Sequence, residues 1–291
     1  MWRSIEINIR QRQLKQKTAS NSSLSLLKRK GWGLKTLLLA LLVGSSLGQN
    51  KPVQTQTVPS YVLPDDTYSQ DIYDLAQSTA VRIIQANGAG TGVIIYHQSG
   101  IYTVLTNWHV VGNDSPLQIM TADGQVYDMM QPPQQLGNFD LALLQFQSLD
   151  THQVATVATE NPEVGEKVYA AGFPLYEHDD SSVNTISQGT EAFRLTQGEV
   201  SVIPPKALPD GYLLGYTNDT KIGMSGGPIF NTKGFLVGVH GRGKYRDPDF
   251  GVYIFEDGSE PTPEMLETMI ESSWGIPITT YLQFTSQASQ D

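Results

Sequence analysis

From residue 81 onward, short runs rich in β-branched and aromatic residues alternate with Gly, Asn, Asp and Pro, a pattern of strands divided by tight turns. The runs 81–85, 92–96, 101–106, 117–121 and 141–146 predict about half of the strands; 167–172, 194–202, 212–217, 228–231, 235–239 and 252–255 predict the rest. Such spacing argues for antiparallel barrels or a sandwich. Two segments depart from it. Ile72, Leu75, Ala76 and Thr79 recur at helical spacing and predict a short amphipathic helix over 71–80 whose apolar face packs. Near the end, Thr262 stands as an N-cap before Pro263 and Glu264, and the helix predicted over 263–273 stops before Gly275 and Pro277.

The first 48 residues follow a different rule. Lys28, Arg29 and Lys30 precede an apolar stretch, 34–43, interrupted by Lys35 and Thr36 and followed by Gly44, Ser45, Ser46 and Gly48. A basic region, a short apolar region and small residues define a signal peptide. A bilayer span needs about 20 apolar residues, and the uninterrupted run covers only 37–43. Cleavage after Gly48 is expected, leaving no stable membrane span. The long basic region predicts a translation start near residues 24–27. Residues 51–64, polar with three prolines, read as an extended arm or linker.

Charge sharpens this picture. The 291-residue chain carries a formal charge of −10, but residues 1–48 hold nine of its 19 basic residues and one of its 29 acidic ones, so the remainder stands at −18. That surface repels phosphate backbones, so nucleic acid is not an expected partner. The chain has no cysteine, which excludes disulfides, thiolate zinc sites and thiol catalysis. Residues 49–291 are numerous enough to bury a core without cross-links. A secreted or periplasmic protein is expected.

Candidate chemistry begins at Gly223-Met224-Ser225-Gly226-Gly227-Pro228, where glycines on both sides let the backbone turn sharply and present the Ser225 hydroxyl beside its own amide. Alone, the hexapeptide fits an ordinary glycine-rich turn as well. Two more segments change that. His109 lies in Thr106-Asn107-Trp108-His109-Val110-Val111, at the end of a strand-like run, and Asp140 leads the apolar Phe139-Asp140-Leu141-Ala142-Leu143. In the order His, Asp, Ser they supply a nucleophile, a base and an orienting carboxylate.

These three motifs resemble those of the chymotrypsin-like (trypsin-like) serine peptidases, in particular their cysteine-poor bacterial branch, over about residues 80–255. The resemblance implies an all-β fold of two six-stranded antiparallel barrels, about 80–160 and 161–291, with the site between them and a carboxy-terminal helix. Residues 49–79 form an amino-terminal arm and short helix ahead of this peptidase domain. It also implies that His109, Asp140 and Ser225 are catalytic, that the amides of Gly223 and Ser225 form an oxyanion hole, and that polypeptides are the substrates. No cofactor and no metal are expected. Digestive members place an aspartate before the serine to pair with a freed amino terminus. Met224 stands there instead, so the oxyanion hole is expected to be preformed.

Substrate preference stays open. By offset from Ser225, Asp219, Thr220 and His240 fall where relatives line the primary pocket. Thr220 with His240 resembles the glutamyl endopeptidases, which bind an acidic side chain, whereas Asp219 resembles trypsin, which binds Lys or Arg. Gly241-Arg242-Gly243 offers an edge for pairing with a substrate backbone. Glu177-His178-Asp179-Asp180 reads as a solvated acidic loop rather than a Ca²⁺ site. The alternative function is a catalytically silent relative that binds peptides or a partner through the same cleft.

Overall fold

The computed structural model describes residues 70–85, 88–113, 116–177, 183–244 and 253–288. The expected signal peptide, the arm over 51–64, His178 to Asp180 and Val252 lie outside these residues. Helix α1 (Gln70–Thr79) matches its prediction, with Ile72, Ala76 and Thr79 buried along one face. It runs directly into the first strand.

The fold is all-β and divides into two sheets. The first holds β1 (Ala80–Gln85), β2 (Gly88–Gln98), β3 (Ile101–Thr106), β4 (Leu117–Met120), β5 (Val126–Asp128), β6 (Gln134–Gln135) and β7 (Ala142–Gln147). Its order is β5-β4-β1-β2-β3-β7-β6, antiparallel throughout. This sheet is a seven-stranded half-barrel, one strand more than expected and without a closing pair. Ile83, Ile94, Val104, Ile119, Leu144 and Phe146 fill its concave side. Between β3 and β4 lies a single helical turn, α2 (Trp108–Val111), which carries His109.

The second sheet closes. It comprises β8 (Lys167–Gly172), β9 (Arg194–Val202), β10 (Leu214–Tyr216), β11 (Pro228–Asn231) and β12 (Leu236–Arg242), joined by β13 (Ser273–Pro277) in the order β10-β13-β12-β11-β8-β9. The helix predicted over 263–273 is shorter: α3 (Pro263–Ile270) keeps Thr262 as its N-cap, accepting from the Met265 amide at 3.3 Å. Beyond it the chain turns into β13. Trp274 and Ile276 are fully buried, and Gly275 pairs with both Leu214 and His240, where a Cβ would lie 2.5 Å from Ile229 Cδ1. Glycine and proline there are read locally as helix breakers, yet tertiary pairing uses them to seal the barrel. A second helix, α4 (Ile278–Ala288), follows without a sequence-level prediction. The strand expected over 252–255 is not one: the described Tyr253, Ile254 and Phe255 are irregular.

Candidate active site

The turn around Ser225 is built on glycines, and a side chain at these positions would disrupt it. Gly223 has φ +97° and a Cβ on it would lie 2.4 Å from the Leu175 nitrogen; Gly226 has φ +86° and its Cβ would meet the Thr91 carbonyl oxygen at 2.0 Å. Both positions require the left-handed region that glycine enters without penalty. Thr91, in β2 of the opposite sheet, fastens this turn. Its amide donates to the Ser225 carbonyl at 2.9 Å and its hydroxyl to the Gly223 carbonyl at 2.8 Å. Its own carbonyl accepts from Thr106 Oγ1 at 2.7 Å. Met224, before the serine, is buried. Among the described residues neither the Gly223 nor the Ser225 amide donates a hydrogen bond within the chain.

His109 and Asp140 meet as their motifs predict. His109 Nδ1 lies 2.6 Å from Asp140 Oδ2, and the His109 amide donates to Oδ1 at 2.8 Å. The Asp140 side chain is buried, whereas the imidazole is 47% exposed and open to the cleft. Two further donors hold the aspartate: Tyr212 Oη donates to Oδ2 at 2.5 Å, and Asn107 Nδ2 donates to its carbonyl at 2.9 Å. Burial alone would raise the Asp140 pKa. Hydrogen bonds from His109 and Tyr212, with the attraction of the His109 charge, overcome it and hold the carboxyl below its ordinary value. Burial first, and the neighbouring Asp140 charge second, push the Tyr212 phenol well above 10, so it stays a donor.

Tyr212 was not singled out from sequence. Its place is secured by Arg242, whose guanidinium stacks over the Tyr212 ring at 4.8 Å and pairs with Asp210 at 3.0 Å. Asp210 sits at φ +66°, a strained position for a non-glycine residue, and its carbonyl accepts from the Asp140 amide at 3.0 Å. Gly241 leaves room for the phenol, since a Cβ there would come within 2.1 Å of Tyr212 Oη. No local sequence pattern marks Tyr212, because it acts across the gap between the two sheets.

Ser225 completes the site in a resting position. Its Oγ donates to the Gly241 carbonyl at 3.0 Å rather than to His109. The register of β12 against β13 shifts between His240 and Arg242, leaving Gly241 unpaired there. All three motif residues line one cleft of about 550 Å³, together with Trp108, Phe139, Lys221, Ile222, His240 and residues 241–243.

The expected specificity residues separate. His240 reaches the cleft wall, buried, with Nδ1 held by Tyr216 Oη at 2.5 Å. Burial pushes the Tyr216 phenol well above 10, so it stays protonated beside the His240 ring. Thr220 does not line the cleft; it is buried against Ser273, with the two hydroxyls 3.1 Å apart. Asp219 does not line it either. Its exposed carboxylate pairs with Lys221 Nζ at 3.0 Å, and it is Lys221 that reaches the cleft. Glu177 accepts from Gln188, and no cluster of potential metal ligands occurs among the described residues.

The family model described as a trypsin-like peptidase domain matches residues 90–239, about half of the chain, and takes in strands of both sheets but not β1 or β13. The chain belongs to that family. A Do-like HtrA serine protease of Lactococcus lactis is 26% identical over 190 residues, covering 60% of this chain and 43% of that protein. A glutamyl endopeptidase of Staphylococcus epidermidis is 26% identical over 237 residues, 73% of this chain and 77% of that one. The chain spans less than half the length of the Do-like relatives it matches. In fold it is similar to the serine endoprotease of Yersinia pestis, with a TM-score of 0.53 at 20% identity, covering 78% of this chain and 68% of the other.

Proposed function

We propose that this protein is a serine endopeptidase that hydrolyses peptide bonds through an acyl-enzyme, with Ser225 as nucleophile, His109 as general base and acid, and Asp140 as the orienting carboxylate. The observation that carries the reading is the convergence of His109, Asp140 and Ser225 on one cleft beside the glycine-built turn.

In the resting site Ser225 rests on the Gly241 carbonyl. A substrate strand laid along residues 241–243 would claim that carbonyl with its own amide, as in strand addition. The hydroxyl is then released toward His109 Nε2. The imidazole takes the Ser225 proton as Oγ attacks the scissile carbonyl, and Asp140 stabilises the imidazolium while fixing its Nδ1–H. The developing oxyanion is received by the Gly223 and Ser225 amides, each worth about 3 kcal/mol in comparable sites. His109 returns the proton to the leaving amine, and water repeats the sequence on the acyl-enzyme.

Acidic side chains are the preferred residues before the cut. The support is His240, set in the cleft wall beside the Tyr216 phenol, together with the likeness over three quarters of the chain to a protein named as a glutamyl endopeptidase. Asp219, paired with Lys221 and not lining the cleft, gives a basic preference no support. Export through residues 1–48 and cleavage after Gly48 complete the reading.

The test is digestion of a mixed peptide library by the protein from Gln49 onward beside Ser225→Ala, with products read by mass spectrometry. Cuts after Glu that vanish in the variant are expected. A wild type that cleaves nothing would favour the silent, peptide-binding reading.

A further inference from the structure

Arg82 is fully buried in β1, yet no carboxylate pairs with it among the described residues. Its Nη1 donates to the carbonyls of Thr185 at 2.8 Å and Gly189 at 3.0 Å, and its Nη2 to Thr185 Oγ1 at 2.7 Å. Its Nε has no partner, and the guanidinium lies over the Phe173 ring at 5.8 Å. A buried cation without a counter-ion is expensive to maintain, and desolvation lowers its pKa accordingly. Its charge is met instead by carbonyl and hydroxyl oxygens of one segment, residues 185–189.

What it grips leads to the nucleophile turn. Thr185 Oγ1 donates to the Pro174 carbonyl at 2.5 Å and the Thr185 amide donates to the Leu175 carbonyl at 2.9 Å. The Leu175 amide in turn donates at 2.7 Å to the carbonyl of Ile222, the residue before Gly223. Residues 173–175 are the wall against which Gly223 packs. A second line starts beside Arg82. Thr91 is its cross-strand partner in β2, so both side chains project from the same face of the half-barrel toward the second sheet. Thr91 Oγ1 accepts from the Phe173 amide at 3.0 Å and donates to the Gly223 carbonyl.

We infer that Arg82 is a positioning residue for the oxyanion hole: with Thr185 and Thr91 it clamps residues 173–175 against Gly223 and so aims the Gly223 amide. The inference rests on the peptidase reading above. Met224 gives the turn no charged anchor of its own, and Arg82 supplies one from the opposite sheet. A peptide plane held this way is ready before substrate arrives, which is where donors to a developing charge gain their strength.

The test uses Arg82→Met, which removes the cation at similar volume, and Thr185→Val, which keeps the cation and the Thr185 backbone bonds but removes the hydroxyl link from Arg82 Nη2 to the Pro174 carbonyl. On a peptide that the wild type cleaves, both variants should lower kcat about 10- to 100-fold with KM within about threefold, because the lost interaction exists in the transition state alone. Inhibition by the matching peptide aldehyde, whose tetrahedral adduct places an oxygen in the hole, should weaken in parallel; the matching peptide alcohol, which forms no adduct, should bind as before. A folded Arg82→Met or Thr185→Val protein with unchanged kcat and unchanged aldehyde affinity would overturn the inference. If the wild type neither cleaves peptides nor reacts with a fluorophosphonate at Ser225, the peptidase reading has failed separately. Amide hydrogen exchange over residues 222–226 then decides: faster exchange in both variants supports the clamp, and unchanged exchange rules it out.

Discussion

Asp140, just ahead of β7, and Tyr212, just ahead of β10, are joined by a 2.5 Å hydrogen bond that ties the carboxylate to the side of the second barrel. Through it, the orientation of the imidazole depends on a residue that does not line the cleft. Arg242 and Gly241, which do line it, hold the phenol in place from one side and make room for it from the other.

Removing the phenol oxygen therefore tests the coupling. Tyr212→Phe leaves a buried carboxylate short of one donor, a loss of about 1.5–3 kcal/mol for a bond to a charged group. The Asp140 pKa should rise toward its unfolded value of about 3.9. The sign follows from linkage: the folded carboxyl titrates below the unfolded one, so the network stabilises fully above about pH 4–5 and ceases to do so as pH falls through the folded pKa. Denaturant titrations should show the Tyr212→Phe deficit largest near neutral pH and shrinking as pH falls through the lowered Asp140 pKa. A deficit independent of pH would mean that the phenol only packs.

Asp140→Asn should preserve the fold and lower kcat by about 10⁴-fold, the cost of presenting the wrong imidazole tautomer in comparable triads. Single-turnover acylation, measured beside thermal melting, separates this from instability. A drop below tenfold would show that Asp140 is a structural acid rather than the orienting one.

Much of this site is legible in the chain because it is local. The strand over 101–106 is found as predicted, since its β-branched and aromatic run and its Asn107 boundary lie within one segment, and the glycines around Ser225 announce a turn whatever surrounds it. What is not legible depends on the other sheet. Thr91 and Arg82 look like ordinary members of buried strands, and only the register that sets them side by side gives them a shared target. Asp219 and Thr220 sit at suggestive offsets from Ser225, but offset does not determine which side of the backbone faces the cleft. The Ser273–Pro277 strand was hidden for the same reason: its glycine and proline are penalties locally and necessities in the barrel.

Gly226→Ala combines two faults at one position. A Cβ would sit 2.0 Å from the Thr91 carbonyl oxygen and 2.1 Å from Thr106 Oγ1, on a backbone at φ +86°. Alanine is strained at such angles by about 1 kcal/mol or more, and the clash must push Thr91 off the turn it fastens. The variant should melt several degrees lower and lose most fluorophosphonate reactivity at Ser225. A stable, fully reactive variant would show that Thr91 does not hold the turn.

The cleft wall itself carries the last expectation. If the His240 ring meets the substrate, His240→Leu should cut kcat/KM for a Glu peptide at least tenfold, about 1.4 kcal/mol. The matching Gln peptide should change far less, because it brings no charge to the ring. Tyr216→Phe offers the finer control. Without the phenol at Nδ1, the ring loses the partner that orients it, so the Glu preference should weaken without vanishing. Kinetics on paired Glu and Gln peptides, run for both variants, distinguish a recognition role from a packing one. Equal losses on the two peptides would mean that His240 merely fills the wall, and the acidic preference would have to be sought at Lys221, whose side chain lines the same cleft.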